Sequence, residues 1–431
     1  MTDASRALAP PSCLISSPEE TYELRPLVAY AATGACTVGI LALACAYAGW
    51  FGTIKKDLSD FNAFVIAGQM AWDGAITDAY NWRSMMAAQK AFTGGDAFMP
   101  WGYPPPYNVV AAALAAVPQW AGYLLLVGAP YAILCVVLAR MAPACAPAAL
   151  IVLFPSAVLT LSTGQNGFLT GALMAGVCAL ALRQSAMAGV LLGVMVIKPH
   201  LALGLGLFFL IRGSVRVLAP AFVAAGVLCL AATLAFGTKI WPAFLVGAGE
   251  AGAFLRAGMF QLDKMPTVYA SARTLGLGLA PSLAAHAALA ALAVAAIVAG
   301  AIWIRDLRLG LGVACLCSLF ISPYLYQYDL ALLAVAAALL LPAILAHTGA
   351  TGLTVTIGST WIASGSWYWS LLRAGEPGRH RDMESIPQAV TDGLAAVSVE
   401  APVSAGAFGL LVFAGLVAVT VWRDCRSHAA G

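Results

Sequence analysis

The sequence predicts an all-α polytopic membrane protein with about twelve transmembrane helices and a long first outer loop carrying interfacial helices. Three observations predict it. Of 431 residues, 61% are hydrophobic and only 10% charged, against about 25% charged in ordinary soluble domains. Apolar runs of roughly 20 residues, the length needed to cross the hydrocarbon core, recur along the chain. The arginines between these runs fall in short loops that alternate with uncharged ones.

The N-terminal tail, residues 1–26, is polar and holds Glu19, Glu20 and Glu23, unlike a signal peptide. The run that follows, 27–50, is longer than a signal's apolar region and reads as an uncleaved first span. Further spans are expected at 120–139, 147–162, 167–182, 186–197, 199–211, 217–236, 281–304, 310–322, 329–346, 350–371 and 404–422. Together they form one transmembrane domain, 27–422, followed by a tail at 423–431. With the N-terminus, Arg6 and Arg25 in the cytoplasm, the short inside loops hold Arg140, Arg183, Arg212, Arg216, Arg305 and Arg308, and the C-terminal tail holds Arg423 and Arg426. The turn "TGQNG" (163–167), on the other side, has no charge. This is a positive-inside pattern. It places loops 51–119, 237–280 and 372–403 outside, and predicts a multi-pass protein of the cell (inner) membrane whose active site faces the periplasm.

The run 186–211 is interrupted by "IKPHL". A single span would leave Lys198 near mid-membrane, costing about 2.5–3.5 kcal/mol, and would invert every later loop. Two short helices meeting at Pro199 keep the charge pattern and place the turn recessed in a protein-lined cavity, where irregular backbone is tolerated. In the first outer loop, Phe61, Phe64, Val65, Gly68 and Trp72 recur at helical spacing and predict an amphipathic helix lying on the outer membrane face. "WGYPPPYNVVAAALAAVP" then predicts a second helix of about 11 apolar residues, too short to span.

The net charge of +3 comes with no basic cluster interleaved with aromatics, so nucleic acid is not an expected partner. The ten cysteines lie mostly inside apolar runs, with no CxxC pair. They read as small apolar residues, with neither a disulfide framework nor a metal site. HExxH, Walker A and GxSxG motifs are absent.

Five stretches carry candidate chemistry. Asp60, at the edge of the bilayer, suits a general base with a raised pKa, and equally suits an N-cap for the helix that follows. Asp57, one turn earlier, reads as a solvated neighbour. Gln165 and Asn166 in "STGQNG" can donate and accept as sugar hydroxyls require, or can simply form a turn. Lys198 and His200 in "KPH" form a cationic recess suited to a phosphate, unless the lysine snorkels to the surface. Arg273 in "MPTVYASARTLG" is a second phosphate candidate or a solvated loop arginine. In "SPYLYQYDLALL", Tyr324, Tyr326 and Tyr328 fit an outer interface, and Asp329 fits a ligand or an N-cap.

Six segments, "SDFNAFVIAGQMAWDGAITDAYNW", "YPPPYNVVAAALAAVP", "GQNGFLTGALMAG", "AGVLLGVMVIKPHLALGLGLFFLIRG", "MPTVYASARTLG" and "SPYLYQYDLALL", occur in the order and at about the spacing of glycosyltransferase family 87. From about Asp57 to Leu345 the chain resembles that family. The resemblance implies a GT-C fold. It also implies transfer of a hexose, typically mannose, from a polyprenyl-phosphate carrier to a lipid-linked or periplasmic glycan, with inversion and without a metal or other cofactor. The essential acidic residue that such enzymes carry near the end of the first span falls on Asp60. Lys198, His200 and Arg273 are then expected at the donor phosphate. Gln165, Asn166, Tyr103, Tyr324, Tyr326, Gln327, Tyr328 and Asp329 are expected at sugar or acceptor. Some family members place a histidine where this chain has Tyr326, Gln327 and Tyr328. A transporter or flippase of a lipid-linked sugar would also use a broken helix and an intramembrane lysine, although no internal repeat is evident. A relative without catalysis, acting as a scaffold, is the third reading.

Overall fold

The computed structural model describes residues 26–50, 58–95, 98–374 and 402–429. The N-terminal tail with Arg6 and Arg25, Asp57, and most of loop 372–403 lie outside them. Among the described residues all regular structure is helical, since a backbone in lipid must satisfy its own polar groups. The chain runs through α1 (Pro26–Tyr47), α2 (Asp60–Trp72), α3 (Trp82–Thr93), α4 (Pro105–Ala115) and α5 (Gln119–Met141). It continues as α6 (Ala146–Thr163), α7 (Gly167–Leu182), α8 (Met187–Ile197), α9 (Pro199–Ile211), α10 (Val215–Phe236) and α11 (Ile240–Arg256). It closes with α12 (Val268–Thr274), α13 (Leu279–Trp303), α14 (Leu307–Ser318), α15 (Ala331–Ala374) and α16 (Gly406–Ala429). Seven helical stretches, those of α1, α5, α6, α10, α13, α15 and α16, are long and apolar enough to cross a membrane. α7, α8, α9 and α14 are apolar but shorter. The protein is a polytopic, membrane-embedded helical protein.

Two reversals shape the interior. Gly189 and Gly193 of α8 sit against the backbone of Val217 and Ala221 of α10, so those helices run parallel. The α9 helix between them must run back, and the chain turns at Lys198, whose φ of −151° and ψ of 68° lie outside the helical region. In α15 the backbone breaks at Gly349 (φ 59°, ψ −146°). The second half folds back on the first, and Trp367 returns to pack on Tyr328. The first half of α15 is the centre of the molecule: every residue from Gln327 to Leu341 is buried, and α15 as a whole packs against α6, α7, α14 and α16.

Small residues permit this density, as is usual where lipid supplies no hydrophobic drive between helices. A Cβ on Gly204 would stand 2.1 Å from Ser318 Oγ, and one on Gly409 would stand 2.3 Å from Ser359 O. The α14 helix ends at Ser318, four residues short of the expected 322, because Pro323 forces the preceding chain toward extended geometry. At the end of the bundle away from Lys198, Arg212 donates to Ala301 O and Ile304 O. Arg308 Nη2 donates to Met141 O at 2.8 Å. Both guanidinium groups thus satisfy carbonyls left over at helix C-termini.

The first outer loop differs from expectation. The α2 helix does not lie on a surface with one face in water: Phe61 through Gly68 are all buried, and only its last turn emerges, with Trp72 exposed. The reason is α4, which crosses so closely that a Cβ on Gly68 would lie 2.1 Å from Ala111 O. The α4 helix is an 11-residue helix, as the sequence predicts. The loop before α12 closes over the same region: Gly247 of α11 abuts Tyr80, and Glu250 accepts from Trp82 N at 3.2 Å. Gly68→Ala is expected to destabilise the detergent-solubilised protein by about 1–3 kcal/mol through overpacking. Gly226→Ala, with nothing within 4 Å of the new carbon, is expected to be neutral or stabilising by about 0.5–1 kcal/mol. Thermal unfolding of the two variants decides; equal melting temperatures would contradict the close α2–α4 crossing.

Candidate functional site

The residues singled out from four separate stretches meet at one place. At its edge is Asp60, the first residue of α2. It is not the N-cap: Ser59 takes that position, and its hydroxyl accepts from Asn62 N at 3.2 Å. The Asp60 carboxylate is therefore left for other work. Its Oδ1 accepts from Gln165 Nε2 at 3.0 Å. Gln165 Oε1 in turn accepts from Tyr103 Oη at 3.3 Å and from Asn166 N at 2.9 Å. Asp60 is closely surrounded by protein yet keeps partial exposure, as do Tyr103, Tyr324 and Tyr326. Their partial exposure marks the open edge of the site. Burial holds the Asp60 pKa above its ordinary value. The Gln165 hydrogen bond and the charges of Lys264 and Lys198 oppose that rise, and Asp329 adds to it.

Behind Gln165 the polar chain continues inward. Asn166 occupies the N-cap position of α7 but makes no side-chain cap. Its Oδ1 accepts from Lys198 Nζ at 3.0 Å. The same Nζ pairs with Asp329 Oδ1 at 2.5 Å and stands 4.8 Å from the centre of the Tyr328 ring. Lys198 is 4% exposed and Asp329 is 1% exposed, so the lysine does not snorkel to water. Asp329 serves a local role as well, its Oδ2 accepting from Tyr326 N at 3.4 Å. The buried pair costs desolvation, which is offset by close contact and the extra hydrogen bonds to each partner.

Two glycines hold the "TGQNG" turn against its neighbours. Gly164 closes α6 in the left-handed region at φ +69°, and a Cβ there would meet Phe61 Cβ at 2.4 Å. A Cβ on Gly167 would meet Tyr328 O at 2.2 Å. One glycine fixes the turn against the residue after Asp60, the other against the residue before Asp329.

The remaining candidates divide. Tyr324, Tyr326 and Tyr328 form a continuous aromatic wall: Tyr326 stacks on Tyr328 at 5.3 Å with the rings 4° apart, and Tyr324 meets Tyr326 edge-on at 5.4 Å. Gln327 turns away from this edge, its Nε2 donating to Ser366 Oγ at 2.7 Å. His200 lies beside Lys198 and Asp329, its Nε2 buried with no hydrogen-bond partner among the described residues. Arg273 is buried in α12, its Nη1 donating to Leu277 O at 3.4 Å in the turn that follows. From the same loop Lys264 acts electrostatically on Asp60. Sequence reasoning missed Lys264, although it stands directly before the "MPTVY" segment. It also missed Tyr107, fully buried and stacked on Tyr103 at 4.2 Å, and Trp367, whose indole N–H is buried without a partner among the described residues.

The arrangement offers a partly exposed carboxylate, amide and phenol groups beside it, and cations within electrostatic reach. Removing one member of the buried pair should strand the other: Lys198→Met is expected to cost about 3–5 kcal/mol. Lys198→Met with Asp329→Asn is expected to recover most of it. Thermal unfolding of the single and double variants checks the coupling, and additive losses would contradict it. The model of glycosyltransferase family 87 matches residues 101–323, just over half of the chain. No curated protein and no solved structure matches the chain.

Proposed function

The chain belongs to glycosyltransferase family 87, and we propose that it transfers a hexose, mannose, from a polyprenyl-phosphate carrier to a lipid-linked or periplasmic glycan. In this reading the fold is of the GT-C type, about twelve helices cross the inner membrane, and the site opens to the periplasm. The short-loop arginines support that orientation. Arg212 and Arg308 gather at one end of the bundle, and the 13 residues of α9 separate Lys198 from Arg212 by about 20 Å.

The observation that carries the reading is the state of Asp60. Ser59 has taken over capping, Gln165 fixes one carboxylate oxygen, and Asp60 keeps partial exposure, as do Tyr103, Tyr324 and Tyr326. An acceptor hydroxyl placed there gives its proton to Asp60 as its oxygen attacks the anomeric carbon from the face opposite the phosphate. The new C–O bond forms with inversion. The bond to the phosphate oxygen breaks, and polyprenyl phosphate leaves with the electron pair. Gln165 and Tyr103 hold Asp60 in register, Tyr324 and Tyr326 border the sugar, and Asn166, fully buried, links Gln165 to Lys198 behind them. The Lys198–Asp329 pair, nearly neutral as a unit, keeps Asn166 and the aromatic wall in place, with His200 beside it. Since the donor carries a single phosphate, the reaction is written without a metal.

A base must be ionised to act, and the Asp60 pKa is raised. The acid limb of transfer is therefore expected above the ordinary carboxylate value of about 3.9. Gln165→Leu removes the hydrogen bond that favours the ionised form, so it should move that limb further up. Asp60→Asn is expected to lower kcat/KM by about 10²–10⁴-fold with membrane insertion intact. Transfer of radiolabelled hexose in detergent, followed against pH, checks all three. Activity retained in Asp60→Asn, or a limb unmoved in Gln165→Leu, would remove Asp60 from the role of base.

A further inference from the structure

Lys264 is set up to meet an anion. It ends the short turn Leu262–Lys264 between α11 and α12. Both neighbouring anchors, Leu262 and Met265, are fully buried, with Phe260, Tyr324 and Tyr326 packed about them. Met265 O accepts from Ser404 Oγ at 2.7 Å. The backbone under the lysine is thus pinned, and its side chain is half-buried, with Nζ 5.3 Å from the centre of the Trp367 ring. Trp367 shares a buried cluster with Leu159 and Tyr328, against which Tyr326 packs. Lys264 makes no close ion pair among the described residues, unlike Lys198, whose charge is answered by Asp329; its charge acts on the carboxyls of adjacent Asp263 and of Asp60 without direct contact. Beside the lysine, the Trp367 indole N–H is a second donor, without a partner among the described residues; that residue is only 8% exposed. The Tyr368 hydroxyl adds a third buried polar group without a partner among the described residues, its ring 4.0 Å from that of Trp367. A cation beside an unsatisfied N–H suits a phosphate oxygen.

We propose that Lys264, together with the indole N–H of Trp367, binds the phosphate of the polyprenyl-phosphate sugar. The inference rests on the glycosyltransferase reading and names a residue that it leaves unassigned. When the bond between anomeric carbon and phosphate oxygen breaks, the phosphate takes the electron pair and gains one negative charge. Lys264 answers that charge, while the acceptor's proton resides on Asp60. The lysine therefore contributes more in the transition state than in the bound donor.

Two assays on the full-length protein in detergent test it: equilibrium binding of polyprenyl monophosphate, and transfer of radiolabelled hexose from polyprenyl-phosphate hexose. Lys264→Met is expected to weaken polyprenyl monophosphate binding about tenfold or more, and to lower kcat/KM for the donor about 100-fold. Lys264→Arg should restore most of both, and Trp367→Phe, which keeps the ring and removes the N–H, should fall between. An excess of phosphatidylglycerol should not displace polyprenyl monophosphate from the wild type. If a second phospholipid competes equally, the site is a general lipid-phosphate site and the donor assignment is wrong. If the wild type binds and transfers, and Lys264→Met does both equally well, the inference is overturned while the reading beneath it stands. If the wild type neither transfers nor binds, the reading itself fails. Monodisperse gel filtration of each variant, and recovery in Lys264→Arg, separate a lost ligand from a lost fold.

Discussion

A buried ion pair holds together what the chain keeps apart. Lys198 and Asp329 are 131 positions apart, and each would be costly alone in a low-dielectric interior. Their contact ties the α8–α9 turn to the entrance of α15. The lysine's second bond reaches Asn166, whose neighbour Gln165 holds Asp60. One line of polar contacts thus runs from the centre of the bundle to the open edge of the site. A side chain at its inner end influences the carboxylate at its outer end only through these discrete bonds. Such a network rigidifies when complete and is destabilising when broken.

Packing gives that line its geometry. Gly164 and Gly167 bring the "TGQNG" turn into backbone contact with Phe61 and Tyr328. Gly68 lets α4 press α2 inward, so the helix that bears Asp60 is enclosed for its first two turns. The break at Gly349 returns Trp367 to the aromatic wall. Small residues set the distances, and the polar residues occupy the space those distances leave. The arginines at the opposite end work on helix termini only, which keeps the two ends of the molecule chemically distinct.

Much of this was legible in the sequence. Polar residues stand out in a chain this apolar, and Asp60, Gln165, Asn166, Lys198 and Asp329 all fall in one network. Their order in it was not legible, because hydrogen-bond partners 32, 105 and 131 residues apart leave no local pattern. The enclosure of α2 was misread because Phe61, Phe64 and Val65 gave a clear apolar stripe. Ala63 and Ala67 on the rest of the helix, and Gly68 within the stripe, are small enough to admit a neighbour, and that was the overlooked signal. Lys264 stands directly before the "MPTVYASARTLG" segment and Arg273 within it, and charge alone does not say which side chain turns toward the site. Only the fold separates them, through the pinning of Leu262 and Met265. Trp367 and Tyr107 were hidden for the opposite reason: aromatic residues inside apolar helices look like core.

The central claim is that one site brings a carboxylate base, an aromatic wall and a cation to a single sugar phosphate. The most direct measurement is a structure of the full-length protein with a non-cleavable phosphonate analogue of polyprenyl-phosphate mannose. The account predicts the sugar between Asp60 and the tyrosine wall, with the phosphonate at Lys264 and Trp367. Asp60 should face the side of the anomeric carbon opposite the phosphonate, leaving room for one acceptor hydroxyl at about 3–3.5 Å from the carbon, the separation of a reactive pair. An analogue seated elsewhere, or one whose phosphonate lies on the same side as Asp60, would contradict it.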